Sequence, residues 1–437
     1  MSMTLIALLG IIIMVLLIFI GMNIGVAMIL VGTVGTVLVT GSWDKALSRL
    51  GTIPFTTMSG SSYIVIPLFC LMGEFTLESG MSKGLYDCCA KWMGHRRGGL
   101  NLATIVSNAL FGAICGSSSA AVATMGRLSV PETRRYNYDD SFSAATCAAG
   151  GTLSWLIPPS TGFIVYGLTA GNMSIGRLFA AGIIPGIMLM FAFMIASSIV
   201  CRRNPSIAPA GEKAPMNVRV KSLLGLIPIV VLFVIVLGGM FTGLCSYTEA
   251  AAIGALLSIV YTIGAGKFTF KGLINRTLSA LKSSIMVFQI MIAANIFGVF
   301  LTITNLPQNL AAFIGGLDVH RVVIMLFMLL LYIFIGMFMD TLSAVLLTIP
   351  IFYPIVSSLG YDGIWFGVVI VLVMVLGTIT PPIGINLFIA AGIDRNVQIG
   401  AIMKSVVPYC IALLVVTLIV IFVPSISLWL PNLMHGV

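Results

Sequence analysis

Long apolar runs separated by short polar connections dominate this chain of 437 residues. About 20 apolar residues cross a bilayer as one helix. On that measure the runs 4–20, 24–41, 60–80, 139–170, 176–201, 222–241, 246–264, 284–304, 361–392 and 403–424 predict about ten spans. Two further stretches, 98–133 and 321–358, read as hairpins. The first lies between Arg96-Arg97 and Arg134-Arg135. Its length of about 36 residues is too great for one span and slightly small for two with a connection. Its centre, Phe111-Gly-Ala-Ile-Cys-Gly-Ser-Ser-Ser-Ala-Ala121, holds two glycines and three serines. That composition predicts a helix that enters the bilayer, breaks and returns to the same face. Such a break survives in lipid only if protein or a polar cavity surrounds it. Two short helices joined by a small-residue contact are the plainer alternative.

Composition agrees with an all-α polytopic membrane protein: 59% of residues are hydrophobic and 8% charged. A soluble chain carries about a quarter charged residues. The net charge of +9 does not call for nucleic acid, because the basic residues gather in short connections. These are 81–97 (Lys83, Lys91, Arg96, Arg97), 202–221 (Arg202, Arg203, Lys213, Arg219, Lys221 against Glu212) and 266–282 (Lys267, Lys271, Arg276, Lys282). Basic connections of this kind mark the cytoplasmic side. Counting spans from them puts both termini outside the cytoplasm. The first hairpin then opens to the cytoplasm and the second to the opposite face. The Pro- and Ala-rich 202–221 connection reads as a flexible linker, and 43–58, with Asp44, Lys45 and Arg49, as an interfacial amphipathic helix. The eight cysteines are scattered without a CxxC pair, which argues against disulfides and zinc. Nothing basic precedes the first apolar run, so Thr4 to Ile20 is expected to be a retained span.

Dipeptides recur in order at a nearly constant offset. His95-Arg96 matches His320-Arg321 (320 − 95 = 225), and Ser119-Ala120 matches Ser343-Ala344 (343 − 119 = 224). Tyr138-Asp139 matches Tyr361-Asp362 (361 − 138 = 223), and Pro158-Pro159 matches Pro381-Pro382 (381 − 158 = 223). An odd number of spans separates equivalent points, so the second repeat is expected to be inverted. The expected division is an extra span at 1–23, a first repeat at 24–201, a linker and extra span at 202–245, a second repeat at 246–424, and a tail at 425–437. Inverted repeats with interrupted hydrophobic segments point to a secondary transporter with its site near the midplane.

The chemistry concentrates at the interruptions. The second hairpin centres on Gly336-Met-Phe-Met-Asp340-Thr341-Leu-Ser343-Ala344. An ionised carboxylate at the depth of Asp340 is costly unless paired or bound to a cation. It reads as a sodium ligand or proton carrier, or else as a salt bridge or helix cap. Thr341 and Ser343 add oxygens beside it. Two long segments are interrupted near their middles. One runs Gly150-Gly151-Thr152-Leu-Ser154-Trp155-Leu-Ile-Pro158-Pro159-Ser160-Thr161-Gly162. The other runs Gly377-Thr378-Ile-Thr380-Pro381-Pro382-Ile-Gly384-Ile-Asn386. Paired prolines donate no backbone hydrogen bond and disfavour helix before them. Carbonyls upstream are left to serve as hard oxygen ligands for sodium. The half-helix after each pair offers N–H groups to a carboxylate. A simple proline kink is the bland reading.

Together these stretches resemble a known family. Cys-Gly-Ser-Ser-Ser-Ala, Pro131-Glu132 with Tyr138-Asp139, Ile-Pro-Pro-Ser with Tyr166-Gly167, Met339-Asp340 and Thr380-Pro381-Pro382-Ile-Gly384-Ile-Asn386 follow in the order seen in one subunit. It is the large membrane subunit of tripartite ATP-independent periplasmic (TRAP) transporters. The resemblance implies a sodium-driven importer of organic acids in a bacterial inner membrane, working as an elevator. It implies a small four-span membrane subunit and a periplasmic substrate-binding protein as partners, with no cofactor beyond Na+. It would place one ion by Ser117, Ser118, Ser119, Gly151 and Thr152, and another by Asp340, Thr341, Ser343, Thr378 and Thr380. The substrate would lie near Ser160, Thr161 and Asn386, beside Pro158, Pro159, Pro381 and Pro382. Arg127 would meet a substrate carboxylate or pair with Glu132.

Three rivals stand beside this reading. A stand-alone sodium- or proton-coupled anion symporter or antiporter shares the hairpins and repeats. An intramembrane enzyme lacks HExxH, a serine with a basic partner at depth, or an acid pair. A primary pump lacks the GxxxxGK[ST] phosphate loop. Glu74, Glu78 and Glu249 are left unassigned. Asn108 and Asn295 read as helix-joining amides, His95 and His320 as interfacial residues, and Gly32 and Gly35 as part of a packing face.

Overall fold

The computed structural model describes residues 3–171, 173–315, 320–393 and 397–434. Residues 1–2 of the expected 1–23 segment and residues 435–437 of the tail lie outside these. In chain order the helices are α1 (Met3–Phe19), α2 (Ile24–Thr40), α3 (Trp43–Ser59), α4 (Val65–Ser79), α5 (Met81–Met93), α6 (Gly99–Cys115) and α7 (Ser118–Arg135). Then come α8 (Asp140–Thr152), α9 (Thr161–Thr169), α10 (Ile175–Arg203), α11 (Met216–Ser222), α12 (Ile227–Phe241), α13 (Tyr247–Gly264) and α14 (Phe270–Ile303). The rest are α15 (Leu306–Gly315), α16 (Arg321–Phe338), α17 (Thr341–Ser358), α18 (Gly363–Ile379), α19 (Ile385–Ile393), α20 (Ile399–Phe422) and α21 (Ser425–Leu433). Short 3₁₀ turns join a few of them, and the described residues contain no strand.

Seven helical stretches among the described residues are long and apolar enough to cross a membrane, and eight if the pair Met216–Gly225 and Ile227–Phe241, bent by 44°, forms one span. The chain is an all-helical polytopic membrane protein. The two stretches read as hairpins, 98–133 and 321–358, each form a helix pair, and two expected spans, 139–170 and 361–392, are shorter pieces interrupted at their proline pairs. Pro158-Pro159 and Pro381-Pro382 are both cis.

Burial sorts the helices by composition. Every residue of α18 from Ile364 to Ile379 is buried, as expected for a helix apolar on all sides. In α8 every residue from Phe142 to Thr152 is buried, and nearly all are Ala, Gly, Ser or Thr. Small side chains let backbones approach closely, and α8 packs against α6, α7, α19 and α20. The outer helices α1, α12 and α14 expose Leu, Ile and Met instead, as lipid-facing surfaces do. Helix α3 has the expected amphipathic form: Ser42 caps it, and Thr57 accepts a hydrogen bond from Asn295 Nδ2 at 3.1 Å.

The basic connections are more ordered than their composition suggested. Most of 81–97 is helix α5, and most of 266–282 is the start of α14, which runs 34 residues. The 202–221 connection is not a loose linker. Its backbone lies against the base of the first hairpin: Gly98 N–H donates to Ala208 O (3.1 Å), Asp139 N–H to Ile207 O (2.8 Å) and Gly211 N–H to Gly94 O (3.0 Å). These bonds offset the chain entropy that Pro- and Ala-rich sequence alone would leave free.

Element starts repeat at the offset seen in the dipeptides. Helix α7 begins at Ser118 and α17 at Thr341 (341 − 118 = 223). Helix α8 begins at Asp140 and α18 at Gly363 (223), while α10 and α20 begin at Ile175 and Ile399 (224). Close packing repeats as well. A side chain at Gly112 on α6 would meet Ser154 Cβ at 2.6 Å, and one at Gly377 on α18 would meet the backbone of Gly336 on α16 at 2.7 Å. Gly112 and Gly336 are 224 residues apart, and Ser154 and Gly377 are 223.

Candidate functional site

The two hairpin breaks and the two proline interruptions converge on one cavity of about 170 Å³. Glycine makes the first break possible: Gly116 ends α6 at φ +63, a left-handed conformation that costs other residues more. Ser117 then caps α7, its hydroxyl accepting from Ala120 N–H at 3.4 Å. At the second break Asp340 caps α17 in the same way, its carboxylate accepting from Ser343 N–H at 3.4 Å. The helix-cap reading of Asp340 is therefore correct as far as it goes. Its side chain also lines the cavity, where no described basic residue pairs with it.

Six helix ends reach the cavity wall. The C-terminal ends of α6 (Cys115) and α18 (Thr378) contribute carbonyl ends, and the N-terminal ends of α7, α9, α17 and α19 contribute amides. Carbonyl ends carry partial negative charge and amide ends partial positive charge. One small space thus offers groups for a cation and for an anion side by side.

Asn386 ties the halves together. Its Nδ2 donates to Ser118 Oγ at 2.7 Å and lies 3.4 Å from Thr378 Oγ1 and 3.5 Å from Ala148 O. The residue is 1% exposed, so these contacts replace water for a buried amide. The first hairpin also docks on the first interruption through Thr161 Oγ1, which donates to Gly116 O at 2.6 Å.

Of the residues singled out from the sequence, Ser117, Ser118, Ser119, Thr161, Asp340, Thr341, Thr378 and Asn386 line this cavity. The others stand behind it or away from it. Gly151 faces the start of α7, where a side chain would collide with Val122 Cγ2 and meet Ser118 O at 3.2 Å. The hydroxyls of Thr152 and Thr380 donate to Ala149 O and Leu376 O of their own segments. Ser160 is buried, donates to Trp155 O at 2.5 Å and caps α9. Ser343 is buried next to the cap it forms with Asp340. Pro158, Pro159, Pro381 and Pro382 shape the interruptions without lining the cavity. Arg127 is exposed and does not line the cavity, and Glu132 pairs with Arg135 at 3.5 Å.

The sequence reading passed over the opposite wall. Cys70, Gly73, Glu74 and Leu77 from α4 and Ser283, Met286 and Val287 from α14 close the cavity. Glu74 accepts from Ser279 Oγ at 2.8 Å and lies 3.5 Å from Arg276, which also holds Glu78 at 2.6 Å. The signal was present: a carboxylate within an apolar run is the feature that drew attention to Asp340.

Comparison with known proteins agrees with this architecture. The family described as "Tripartite ATP-independent periplasmic transporter, DctM component" matches residues 11–426. The chain is 34% identical over 385 residues to the C4-dicarboxylate TRAP transporter large permease protein of Pseudomonas aeruginosa, covering 86% of this chain and 88% of that one. It is 29% identical over 423 residues to the sialic acid TRAP transporter large permease protein of Vibrio cholerae, covering 96% and 97%. The 2,3-diketo-L-gulonate TRAP transporter large permease protein of Escherichia coli is 32% identical over 366 residues, covering 83% and 85%. The solved structure of the Alcanivorax borkumensis YdaH transporter shares the fold, with a TM-score of 0.65 at 17% identity over 89% of this chain and 90% of that one. These relatives are permease subunits and not enzymes. A match along nearly the whole chain, together with the broken helices that carry its motifs, makes this protein a member of the TRAP transporter large membrane subunit family.

Proposed function

We propose that this chain imports an organic acid across a bacterial inner membrane by sodium symport. A small four-span membrane subunit and a periplasmic binding protein would work with it, as TRAP large subunits do in general. Relatives named for C4-dicarboxylate, sialic acid and 2,3-diketo-L-gulonate support an acid as cargo. The observation that carries the reading is the cavity where Ser117–Ser119, Asp340, Thr378 and Asn386 meet. Two of its groups, Asp340 and Glu74, are acids, which would repel an anionic cargo. A substrate carboxylate about 5 Å from Asp340 would be repelled by roughly 3 kcal/mol at an effective dielectric of 20. Sodium on Asp340 and the neighbouring carbonyl ends removes that repulsion, so ion binding precedes substrate binding. The acid group then meets the N-terminal ends of α9 and α19, with Thr161 and Asn386 beside it.

The matching offsets in helix starts and glycine contacts support two inverted repeats of about ten spans and two re-entrant hairpins. In this reading the hairpins and interrupted helices move as one body against α4 and α14, in an elevator displacement. Clustering of basic connections at one end supports a cytoplasmic location for that end and periplasmic termini. Uptake into proteoliposomes holding both membrane subunits tests the proposal. It should require a sodium gradient and the added binding protein, and no ATP. Full uptake without the binding protein would favour a stand-alone carrier, and uptake indifferent to sodium would remove the coupling.

A further inference from the structure

Arg219, on α11, is the one charged side chain among the described residues that is buried, at 7% exposure. No described carboxylate lies within ion-pair distance of it. Its Nη2 lies 3.0 Å from Nδ1 of His95, and its Nε is buried without a partner. Arg96 and Lys213 lie near enough to His95 to act on its charge alongside Arg219. Desolvating a guanidinium costs free energy that a counter-charge normally offsets, and here the neighbours are cationic or neutral. The backbone at Arg219 is nonetheless held in place, because its carbonyl accepts from Trp92 Nε1 at 3.2 Å and from Ser222 Oγ at 2.6 Å.

The surroundings indicate what supplies the missing charge. Met216, Val220 and Leu224 near Arg219 are exposed, at 62%, 51% and 62%. An apolar exposed face beside a cationic pocket at the end of a helix bundle suits the boundary between headgroups and acyl chains. A guanidinium N–H forms charge-assisted hydrogen bonds to phosphate oxygens. We propose that Arg219, with Arg96 and Lys213 at its rim, binds the phosphate of an anionic phospholipid whose acyl chains cover Met216, Val220 and Leu224. Because the 202–221 strap also clamps Gly98 and Asp139, the lipid would hold the base of the first hairpin closed.

The test is thermal unfolding of the full-length protein in neutral detergent with phosphatidylglycerol, phosphatidylcholine or inorganic phosphate. Phosphatidylglycerol should raise Tm by a few degrees more than phosphatidylcholine, and Arg219→Gln should abolish the difference. If Arg219→Gln does not accumulate, the double variant Arg96→Gln with Lys213→Gln should at least halve it. Equal gains from the two lipids in the wild type, or a difference that survives in the variants, would overturn the site. The same gain from inorganic phosphate alone would overturn the lipid as its occupant.

Discussion

Ser117 and Asp340 hold equivalent places, 223 residues apart, each capping the second helix of its hairpin at the wall of one cavity. One tip is neutral and crowded with hydroxyls, and the other carries an acid. The cap is shared, while the approach to it differs, with Gly116 left-handed (φ 63) where Met339 is extended (φ −116); the chemical difference between the two caps is the charge. A hydroxyl caps a helix as well as a carboxylate does, and capping therefore does not explain the acid. We propose, as an extension of the sodium-symport reading, that the tips have different tasks: the second tip takes a cation, and the first shapes the space for the anionic cargo.

Removing the acid should have the largest effect. A bond to a charged group contributes about 1.5–3 kcal/mol, so Asp340→Asn should raise the sodium concentration for half-maximal uptake roughly tenfold to a hundredfold. The measurement is sodium-dependent uptake at constant membrane abundance. Making the tips alike from the other side should do less. Ser117→Asp keeps the cap and adds a second acid, and uptake should fall on the order of tenfold with a steeper sodium dependence. A pure capping role for Asp340 would leave Asp340→Asn close to wild type, since Asn also caps a helix.

Asn386 joins the two tips without belonging to either. Interhelical hydrogen bonds in membrane proteins average about 0.6 kcal/mol, so Asn386→Leu should change Tm little. Its uptake should fall several-fold, because Ser118 and Thr378 lose their shared partner. A loss of abundance that matches the loss of uptake would make the residue structural.

The smallest expected effect lies at the strap. Desolvation, then Arg219, Arg96 and Lys213, hold the His95 imidazole below its ordinary value of 6.5. The unfolded chain therefore takes up that proton more readily than the folded one. Stability is kept above pH 6.5 and declines as pH falls below it. Tm measured between pH 7.5 and 5.5 should decline slightly more in the wild type than in His95→Gln.

The sequence disclosed the outline because bilayer thickness ties apolar run length to span, and because proline pairs and glycine–serine clusters break helices for local reasons. The eight cavity residues it identified all sit at such breaks. It was less informative where packing decides. Glu74 passed as a residue near a span end, and only folding shows α4 turning its Cys70–Leu77 face to the tips. Ser160 and Thr152 have the right oxygens, but both are buried outside the cavity lining, and their hydroxyls donate to nearby carbonyls. The linker at 202–221 has a flexible composition, and its order comes from partners more than a hundred residues away, such as Trp92.

Binding of radioactive sodium to the purified protein, wild type against Asp340→Asn, addresses the division of labour between the tips most directly. The wild type should hold sodium against excess potassium, and Asp340→Asn should lose most of that binding while Ser117→Ala retains it. Equal sodium binding by wild type and Asp340→Asn would contradict the assignment of the cation to the second hairpin.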